Sequence, residues 1–408
     1  MARERVKNKK ATQGCRNVTA ATGLVRCEFF IMSSPGETLS PDAALLMRSI
    51  IQRIATGPEL SKDISREEAR AGMRCILEGK VDPVQAGIFL IALRMKRETD
   101  DENRGILEAI REVTRTVTAP VDEIIDLADP YDGFNRMLPA SPFLPALLAA
   151  CGAPAVTHGV ERLGPKYGVT HRQVLRAAGQ PVDLSVEEAA ERLGDPSIGW
   201  AYVDQRAYCP KLHDLIGLRT QIVKRPVITT VEVCIGPVRG RRKTHLVTGY
   251  VHKAYPRIYA RLARHAGFDS ALILRGVEGG VIPSLAKPGR FFYYRDQGEE
   301  QSVEIDPAQL GIDPSVRAAP LPADLRKPGG ADEEPAVTFD ATAVAQAAAQ
   351  AGMQALAGQP GPTREGLVFS AALCLWHVGR YDSVAAAARA LREVLDRGRA
   401  LARMQHAA

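Results

Sequence analysis

A lysine and a tyrosine in a glycine-flanked loop are the first residues whose types could hold an anion. The stretch Gly164-Pro165-Lys166-Tyr167-Gly168 places the two side chains next to each other. A lysine carries a compact cation on a flexible stem, which suits a phosphate or another anion. The same five residues also suit an ordinary solvated loop. Lys166 and Tyr167 are therefore candidate anion-binding residues, with the solvated loop as the alternative.

A basic stretch over residues 239–264 could bind nucleic acid. Its cations are interleaved with three tyrosines, and single-strand binding proteins combine phosphate-binding cations with aromatic rings that stack on bases. Three of the arginines recur at helical spacing, so a solvated helix face also explains them. Single-stranded nucleic acid is therefore one candidate partner. The residues are Arg239, Arg241, Arg242, Lys243, His245, Tyr250, His252, Lys253, Tyr255, Arg257, Tyr259, Arg261 and Arg264.

The cysteines carry neither a disulfide nor a metal signature. They number seven, at positions 15, 27, 75, 151, 209, 234 and 374, and no two form a C-x-x-C pair. This pattern argues against a disulfide framework and against a zinc site, and it favours a reducing, cytoplasmic compartment. The longest apolar run, residues 367–378, is broken by Ser370 and His377. A membrane span needs roughly 18 to 20 apolar residues, so we expect no membrane partner.

Positive charge is concentrated at the start of the chain. The formal net charge is +6, and residues 1–31 hold seven Lys or Arg against two Glu. The other 377 residues therefore carry only about +1, which weakens a general nucleic-acid interpretation. The leading segment has too weak an apolar region for a signal peptide and too little periodicity for a helix. We expect residues 1–37 to be a disordered basic tail, with a functional basic arm as the alternative.

The elements that must position these residues change character near residue 119. Residues 38–118 have the capping and apolar spacing of four helices, including a capping box from Ser65 to Glu68 and an Asp82-Pro83 helix start. From 119 to 312, short apolar runs alternate with helical stretches, which is typical of parallel strands joined by crossovers. The runs are residues 124–127, 155–157, 199–203, 227–233, 246–251 and 271–274.

The end of the chain is predicted to be helical. Residues 313–336 are rich in Pro, Ala, Gly and Asp and are typical of a linker. Residues 337–408 have the pattern of alanine-rich amphipathic helices that pack on the preceding domain. The predicted fold class is therefore α/β, with a small N-terminal helical domain and a mainly parallel central sheet flanked by helices.

Three stretches resemble one known family. Residues 65–96, residues 147–159 (LLAACGAPAVTHG) and residues 361–367 (GPTREGL) are similar to parts of the anthranilate phosphoribosyltransferase family, which shares its fold type with nucleoside phosphorylases. The resemblance covers about residues 40–405. It implies a phosphoribosyltransferase-like glycosyltransferase, a cytoplasmic homodimer joined by its N-terminal helices, and a connection to anthranilate and tryptophan biosynthesis.

The family's pyrophosphate turn is largely replaced. The family has G-T-G-G-D, whereas the matching residues 129–133 are Asp-Pro-Tyr-Asp-Gly. Proline supplies no N–H, and Asp132 adds negative charge where a polyanion would lie. Gly133 survives, and the resemblance implies that Asn135 and Arg136 hold a phosphate at the next helix. A plain turn before a capped helix is the alternative.

Other family positions are kept in part. The K-H-G-N-R turn keeps His158 and Gly159, and Lys166 with Tyr167 lies near the family's phosphate-binding serine-rich loop. Arg219 aligns with a family arginine that contacts the carboxylate of the aromatic substrate, and a surface arginine is the alternative. Magnesium remains a candidate cofactor, but the family's Asp-Glu pair is not seen in residues 277–282, where Glu278 is a weak substitute.

Two classes of function follow. One is a glycosyltransferase that transfers or binds a phosphoribosyl-type anionic ligand with a degraded phosphate turn and metal pair. The other is a non-catalytic nucleic-acid-binding protein on the same scaffold. A sensor of another phosphorylated small molecule is a third option.

Overall fold

The computed structural model describes residues 41–57, 59–313, 315–325 and 340–408. The predicted tail, residues 1–37, lies outside the described residues, as do residue 314 and residues 326–336 of the predicted linker. The α-helices are α1 (Pro41–Ile54), α2 (Arg66–Leu77), α3 (Pro83–Lys96), α4 (Asp100–Glu112), α5 (Leu144–Ala150), α6 (His171–Ala177), α7 (Val186–Gly194), α8 (Gln205–Tyr208), α9 (Pro210–His213), α10 (Ile216–Ile222), α11 (Ile228–Val231), α12 (Tyr255–His265), α13 (Ala341–Leu356), α14 (Pro362–His377), α15 (Val384–Asp396) and α16 (Arg399–Ala407). The strands are β1 (Val117–Thr118), β2 (Glu123–Ala128), β3 (Ala155–Gly159), β4 (Trp200–Asp204), β5 (Val238–Arg239), β6 (Lys243–Gly249), β7 (Ser270–Leu274), β8 (Gly289–Tyr294) and β9 (Gln301–Ile305).

Helices α2 and α3 begin where their capping residues predict. The Ser65 side chain accepts the N–H of Glu68, and the Glu68 carboxylate accepts the N–H of Ser65, which closes the expected capping box. Asp82 caps α3, with Pro83 at its first position. Helices α2 and α4 pack closely because Gly105 has no side chain at the point where they cross.

The central sheet has seven strands in the order β4-β3-β2-β6-β7-β8-β9. The first five run parallel, and β8 and β9 add an antiparallel edge. Strands β1 and β5 form a separate parallel pair. The predicted fold class is confirmed, and the carboxyl ends of β2, β3 and β6 lie side by side.

The two sheet faces are covered by different helices. One core joins a sheet face to α5 and the C-terminal helices, and the other joins the opposite face to the N-terminal helices. Parallel strands buried on both faces are expected to be apolar along their whole length, which explains why five of the predicted runs form strands. No helix in the described part of the chain is long and apolar enough to span a membrane.

One predicted strand is wrong, and four of the nine strands in the described residues were not predicted. Residues 227–233 form the short helix α11 and a 3-10 turn rather than a strand. The run is apolar and rich in β-branched residues, but tertiary packing decides the structure of such short segments. Of these four, β8 and β9 lie at the edge of the central sheet, and β1 and β5 form the separate two-residue pair. Helix α15 ends at Asp396, and Gly398, with φ of +65°, separates it from α16.

Candidate functional site

An open cleft lies at the carboxyl ends of β2 and β6, facing the N-terminal helices. It encloses about 750 Å³, part of it open to solvent. Ligands of sheets with parallel strands bind outside the carboxyl ends of the strands, so the position marks a candidate site. The cleft is lined by Arg94, Pro130, Tyr131, Asp132, Arg225, Thr229, Thr230, Glu232, Val233, Thr248, Gly249, Tyr250, Val251, His252, Tyr255, Tyr259, Glu278 and Gly279.

The turn after β2 is held by its own acidic residues. The Asp129 carboxylate accepts the N–H of Val281 at 2.7 Å and lies 2.7 Å from His171 Nε2. Arg225 donates two hydrogen bonds to Asp132 Oδ2, at 2.9 and 2.6 Å. Both aspartates of the turn therefore have partners within the fold, although Asp132 Oδ1 is buried without one, and these contacts stabilise the turn without a bound ligand.

A second carboxylate lies against the end of this turn. Glu278 accepts the backbone N–H groups of Asn135, at 3.2 Å, and Arg136, at 2.8 Å. The ammonium of Lys166 lies 3.1 Å from the same carboxylate and donates to the carbonyl of Gly133 at 2.6 Å. The structure thus brings together four of the predicted phosphate-binding residues, Gly133, Asn135, Arg136 and Lys166. The Glu278 carboxylate lies between the backbone N–H groups of Asn135 and Arg136 and the ammonium of Lys166.

His158 and Gly159 lie under the turn, at the end of β3. His158 Nε2 is 2.8 Å from Asp126 Oδ1, and its Nδ1 contacts the hydroxyl of Tyr131, which is 2.7 Å from the hydroxyl of Tyr208. Burial raises the pKa of both tyrosines well above the ordinary value, so their hydroxyls stay protonated. This network connects β2, β3 and the turn, and His158 itself does not line the cleft.

Tyr167 and Arg219 also lie away from the cleft surface. Arg162 covers the ring of Tyr167 at 5.0 Å. Arg219 is 2% exposed and donates to both oxygens of Glu232 at 2.7 Å. Among the predicted site residues, all of which are described, Asp132 alone lines the cleft. The roles assigned to the others by resemblance remain predictions.

The sequence reasoning missed the cations that line the cleft. The Arg94 guanidinium lies 5.7 Å from the ring centroid of Tyr255, and its Nη1 lies 3.5 Å from Thr230 Oγ1. Arg94 is a charged residue directly after the apolar run of α3, and a charge at that position could have been recognised in the sequence as a candidate site residue. Arg225 had none, because its partner Asp132 is 93 residues away.

The carboxylates near the cleft do not fit a magnesium site. Glu278, Asp129 and Asp132 each already accept hydrogen bonds from donors of the fold. Magnesium requires several free oxygen ligands in near-octahedral geometry. Among the described residues, no group of three or more His, Cys, Asp and Glu could hold a metal ion.

Known proteins share both the sequence pattern and this fold. A family described as glycosyl transferase family, helical bundle domain, matches residues 48–114. An uncharacterised protein of Aquifex aeolicus is 31% identical over 252 residues, covering 62% of this chain and 74% of that protein. The anthranilate phosphoribosyltransferase of Rhodopseudomonas palustris (strain BisA53) is 27% identical over 357 residues, covering 88% of this chain and 96% of the enzyme.

This chain is a divergent member of the anthranilate phosphoribosyltransferase-like family. The fold agrees with that of the Saccharomyces cerevisiae enzyme in complex with phosphoribosyl pyrophosphate and magnesium, with a TM-score of 0.68 at 14% identity over 90% of this chain and 97% of that one. In this family member the cleft lies at the carboxyl ends of the parallel strands, where ligands of such sheets bind. The turn beside it has aspartates and a tyrosine where the family has glycines, and a proline where the family has threonine.

The basic stretch of this family member does not form one surface. Arg239 and the end of α12 lie together, since Arg239 donates to the carbonyl of Ala266, whereas residues 250–257 lie at the other end of β6, seven residues or roughly 20 Å of extended chain away. Lys243 pairs with Asp296 at 2.6 Å, Arg264 with Glu300 at 3.0 Å, and Arg261 with Asp100. Arg239 packs on Phe268, and burial lowers its pKa to about 10. The cations that remain exposed at the carboxyl end of β6 include His252, Lys253 and Arg257.

Proposed function

We propose that this protein binds a phosphate-bearing ligand in the cleft and does not transfer a phosphoribosyl group from a magnesium-bound donor. One observation carries the proposal: the carboxylates at the turn after β2 already accept hydrogen bonds from the fold. Glu278 accepts from the N–H of Arg136, Asp129 from the N–H of Val281, and Asp132 from the guanidinium of Arg225. A pyrophosphate at this turn would have to displace Glu278 and would meet the charges of two aspartates.

Phosphoribosyl transfer depends on holding and neutralising the pyrophosphate that leaves. The enzyme gains most of its rate from positioned donors and cations at that group, since the protein supplies little covalent chemistry. The turn here lacks the glycines that allow close backbone approach. The carboxylates beside it do not fit the magnesium of the yeast relative. These differences support binding over transfer.

The cleft nevertheless offers groups that suit a phosphate ester. Arg94 and Arg225 supply guanidinium groups, and Arg225 is exposed. Tyr255, whose ring contacts that of Tyr259 at a centroid distance of 5.4 Å and a tilt of 47°, supplies an aromatic wall for a planar group. Guanidinium groups and aromatic rings together favour a ligand with both a phosphate and a ring.

Calorimetric titration with phosphoribosyl pyrophosphate, with and without magnesium, tests the absence of transfer chemistry. We expect no increase in affinity on adding magnesium and no product when anthranilate is present. Magnesium-dependent turnover of anthranilate would overturn the proposal and would support an active transferase.

Single-stranded nucleic acid is a second candidate ligand, favoured by the exposed cations on both sides of the cleft. Lys224 and Arg225 flank one side, and His252, Lys253 and Arg257 the other.

Phosphate contacts release counterions, so oligonucleotide affinity should fall steeply as salt is raised. We expect Arg225→Gln with Lys253→Gln to weaken binding and to reduce the salt slope. The control is Arg397→Gln, which removes an arginine with a 71% exposed side chain at the C-terminal cap of α15. Equal weakening in the control would place the binding surface elsewhere.

A further inference from the structure

Three hydrogen-bond donors converge on one carboxylate beside the cleft. They are the N–H groups of Asn135 and Arg136 and the ammonium of Lys166, and the carboxylate is that of Glu278. The Glu278 side chain is only 6% exposed, and that of Lys166 is 15% exposed. Two successive backbone N–H groups with a cation form a concave site for an oxyanion. We call these three donors the 135–166 cradle.

The backbone holds Glu278 in the cradle in an uncommon conformation. Glu278 has φ of +56° and ψ of 17°, in the left-handed region that non-glycine residues rarely adopt. The loop has no room to move toward β6, because a side chain at Gly249 would overlap the carbonyl oxygens of Gly279 and Gly280. The fold therefore accepts a strained backbone at Glu278, and this conformation places the carboxylate against the three donors of the cradle.

The cradle and the cleft are contiguous, since Glu278 lines the cleft together with Asp132 and Arg225. An external oxyanion entering the cleft would compete directly with the Glu278 carboxylate for the three donors. We propose that Glu278 is an internal anion that occupies the 135–166 cradle and keeps it closed against pyrophosphate and its esters. The proposal goes beyond the function proposed above, because it holds for any ligand of the cleft.

Removing the carboxylate should open the site. Without Glu278, the two backbone N–H groups would lose their carboxylate acceptor, and the Lys166 ammonium would keep the carbonyl of Gly133. Donors that lose a charged acceptor in a partly buried site are costly. An added anion would restore their hydrogen bonds. Glu278→Gly suits the left-handed backbone and removes the side chain. Glu278→Gln keeps the side-chain size and removes the charge, so its amide oxygen can still occupy the cradle and its gain should be smaller.

The experiment is calorimetric titration of the full chain with inorganic pyrophosphate at fixed ionic strength. We expect Glu278→Gly to bind pyrophosphate at least about tenfold more tightly than the wild type, as expected for charge-assisted hydrogen bonds. Lys166→Gln should cancel this gain in the Glu278→Gly background. The control is Glu299→Gln, which removes an exposed carboxylate in the turn between β8 and β9, near the amino end of β7.

Unchanged pyrophosphate affinity in a folded Glu278→Gly variant would overturn the inference. An equal gain in Glu299→Gln would also overturn it, since net charge alone would then explain the result. If neither Glu278 variant folds, the contact is a structural requirement and not an exchangeable one, which contradicts the proposal. Failure of wild-type protein to bind oligonucleotides would remove the candidate function above and leave this result unaffected.

Discussion

Arg219 and Glu232 form a buried ion pair behind the cleft. Both side chains are 1% exposed, and the two hydrogen bonds between them measure 2.7 Å. Removing one partner of a buried pair leaves an uncompensated charge, which typically costs about 3 to 5 kcal/mol. We therefore expect Arg219→Ala to lower the free energy of unfolding by roughly that amount in urea denaturation.

A double variant separates this structural role from ligand binding. Replacing both Arg219 and Glu232 by leucine removes both charges, so it should recover most of the stability lost in Arg219→Ala. A single variant that keeps its stability and loses only affinity for an anionic ligand would instead support the substrate-carboxylate role predicted from the sequence.

Two buried histidines should make stability depend on pH. Ser270 Oγ lies 2.7 Å from His245 Nδ1 and 2.8 Å from His377 Nε2. Burial lowers the pKa of both rings below the ordinary 6.5, and the nearby Arg295 further disfavours protonation of His377. The unfolded chain therefore binds more protons as pH falls below 6.5, so the folded state loses stability there.

The expected slope is at most about 1.4 kcal/mol per pH unit for each histidine. His377→Gln keeps a polar atom near Nε2 and cannot titrate, so the loss of unfolding free energy between pH 7.5 and 5 should shrink. Urea denaturation at the two pH values measures it, with His406→Gln at an exposed position as the control. The same pH dependence in both variants would contradict this explanation.

At the scale of elements, Gly105 permits the close crossing of α2 and α4. An added Cβ would overlap the carbonyl oxygen of Arg66 and lie 2.9 Å from the backbone nitrogen of Arg70. Alanine normally favours a helix over glycine by about 1 kcal/mol, but overpacking costs about 1 to 3 kcal/mol. Gly105→Ala should therefore lower the midpoint of thermal unfolding.

The matched control for Gly105 is Gly217 in α10, whose added Cβ would meet no atom within 4 Å. Gly217→Ala should leave stability unchanged or raise it slightly, because only the helix preference remains. Destabilisation of similar size in both variants would show that close packing is not the cause.

The elements differ in how far sequence could predict them. Strands such as β2 and β7 are buried on both faces, so their apolar runs gave a clear pattern. The apolar run at 227–233 gave the same pattern and folds as a helix, because tertiary packing outweighs β propensity in so short a segment. The placement of Glu278 could not be predicted, since its backbone partners are 142 and 143 residues away.

At the scale of the whole molecule, the N-terminal helices expose an apolar surface. On α3, Val84 is 69% exposed, Ile88 is 36% exposed and Met95 is 75% exposed, and Leu45 on α1 is 66% exposed. Positions 84, 88 and 95 recur at helical spacing and so share one side of α3. Contiguous apolar surface of this kind marks interaction sites, and we expect it to join two copies of the chain.

Introducing charge on this surface should separate the copies. Val84→Asp with Met95→Asp would place two carboxylates in an apolar interface, where an unpaired charge is strongly unfavourable. We expect the wild type to sediment as a dimer and the double variant as a monomer that melts cooperatively. Val251→Asp, at a 55% exposed valine beside the cleft, is the control for adding an exposed charge. A wild-type monomer, or a double variant that remains dimeric, would show that the exposed face of α3 does not join two copies of this chain.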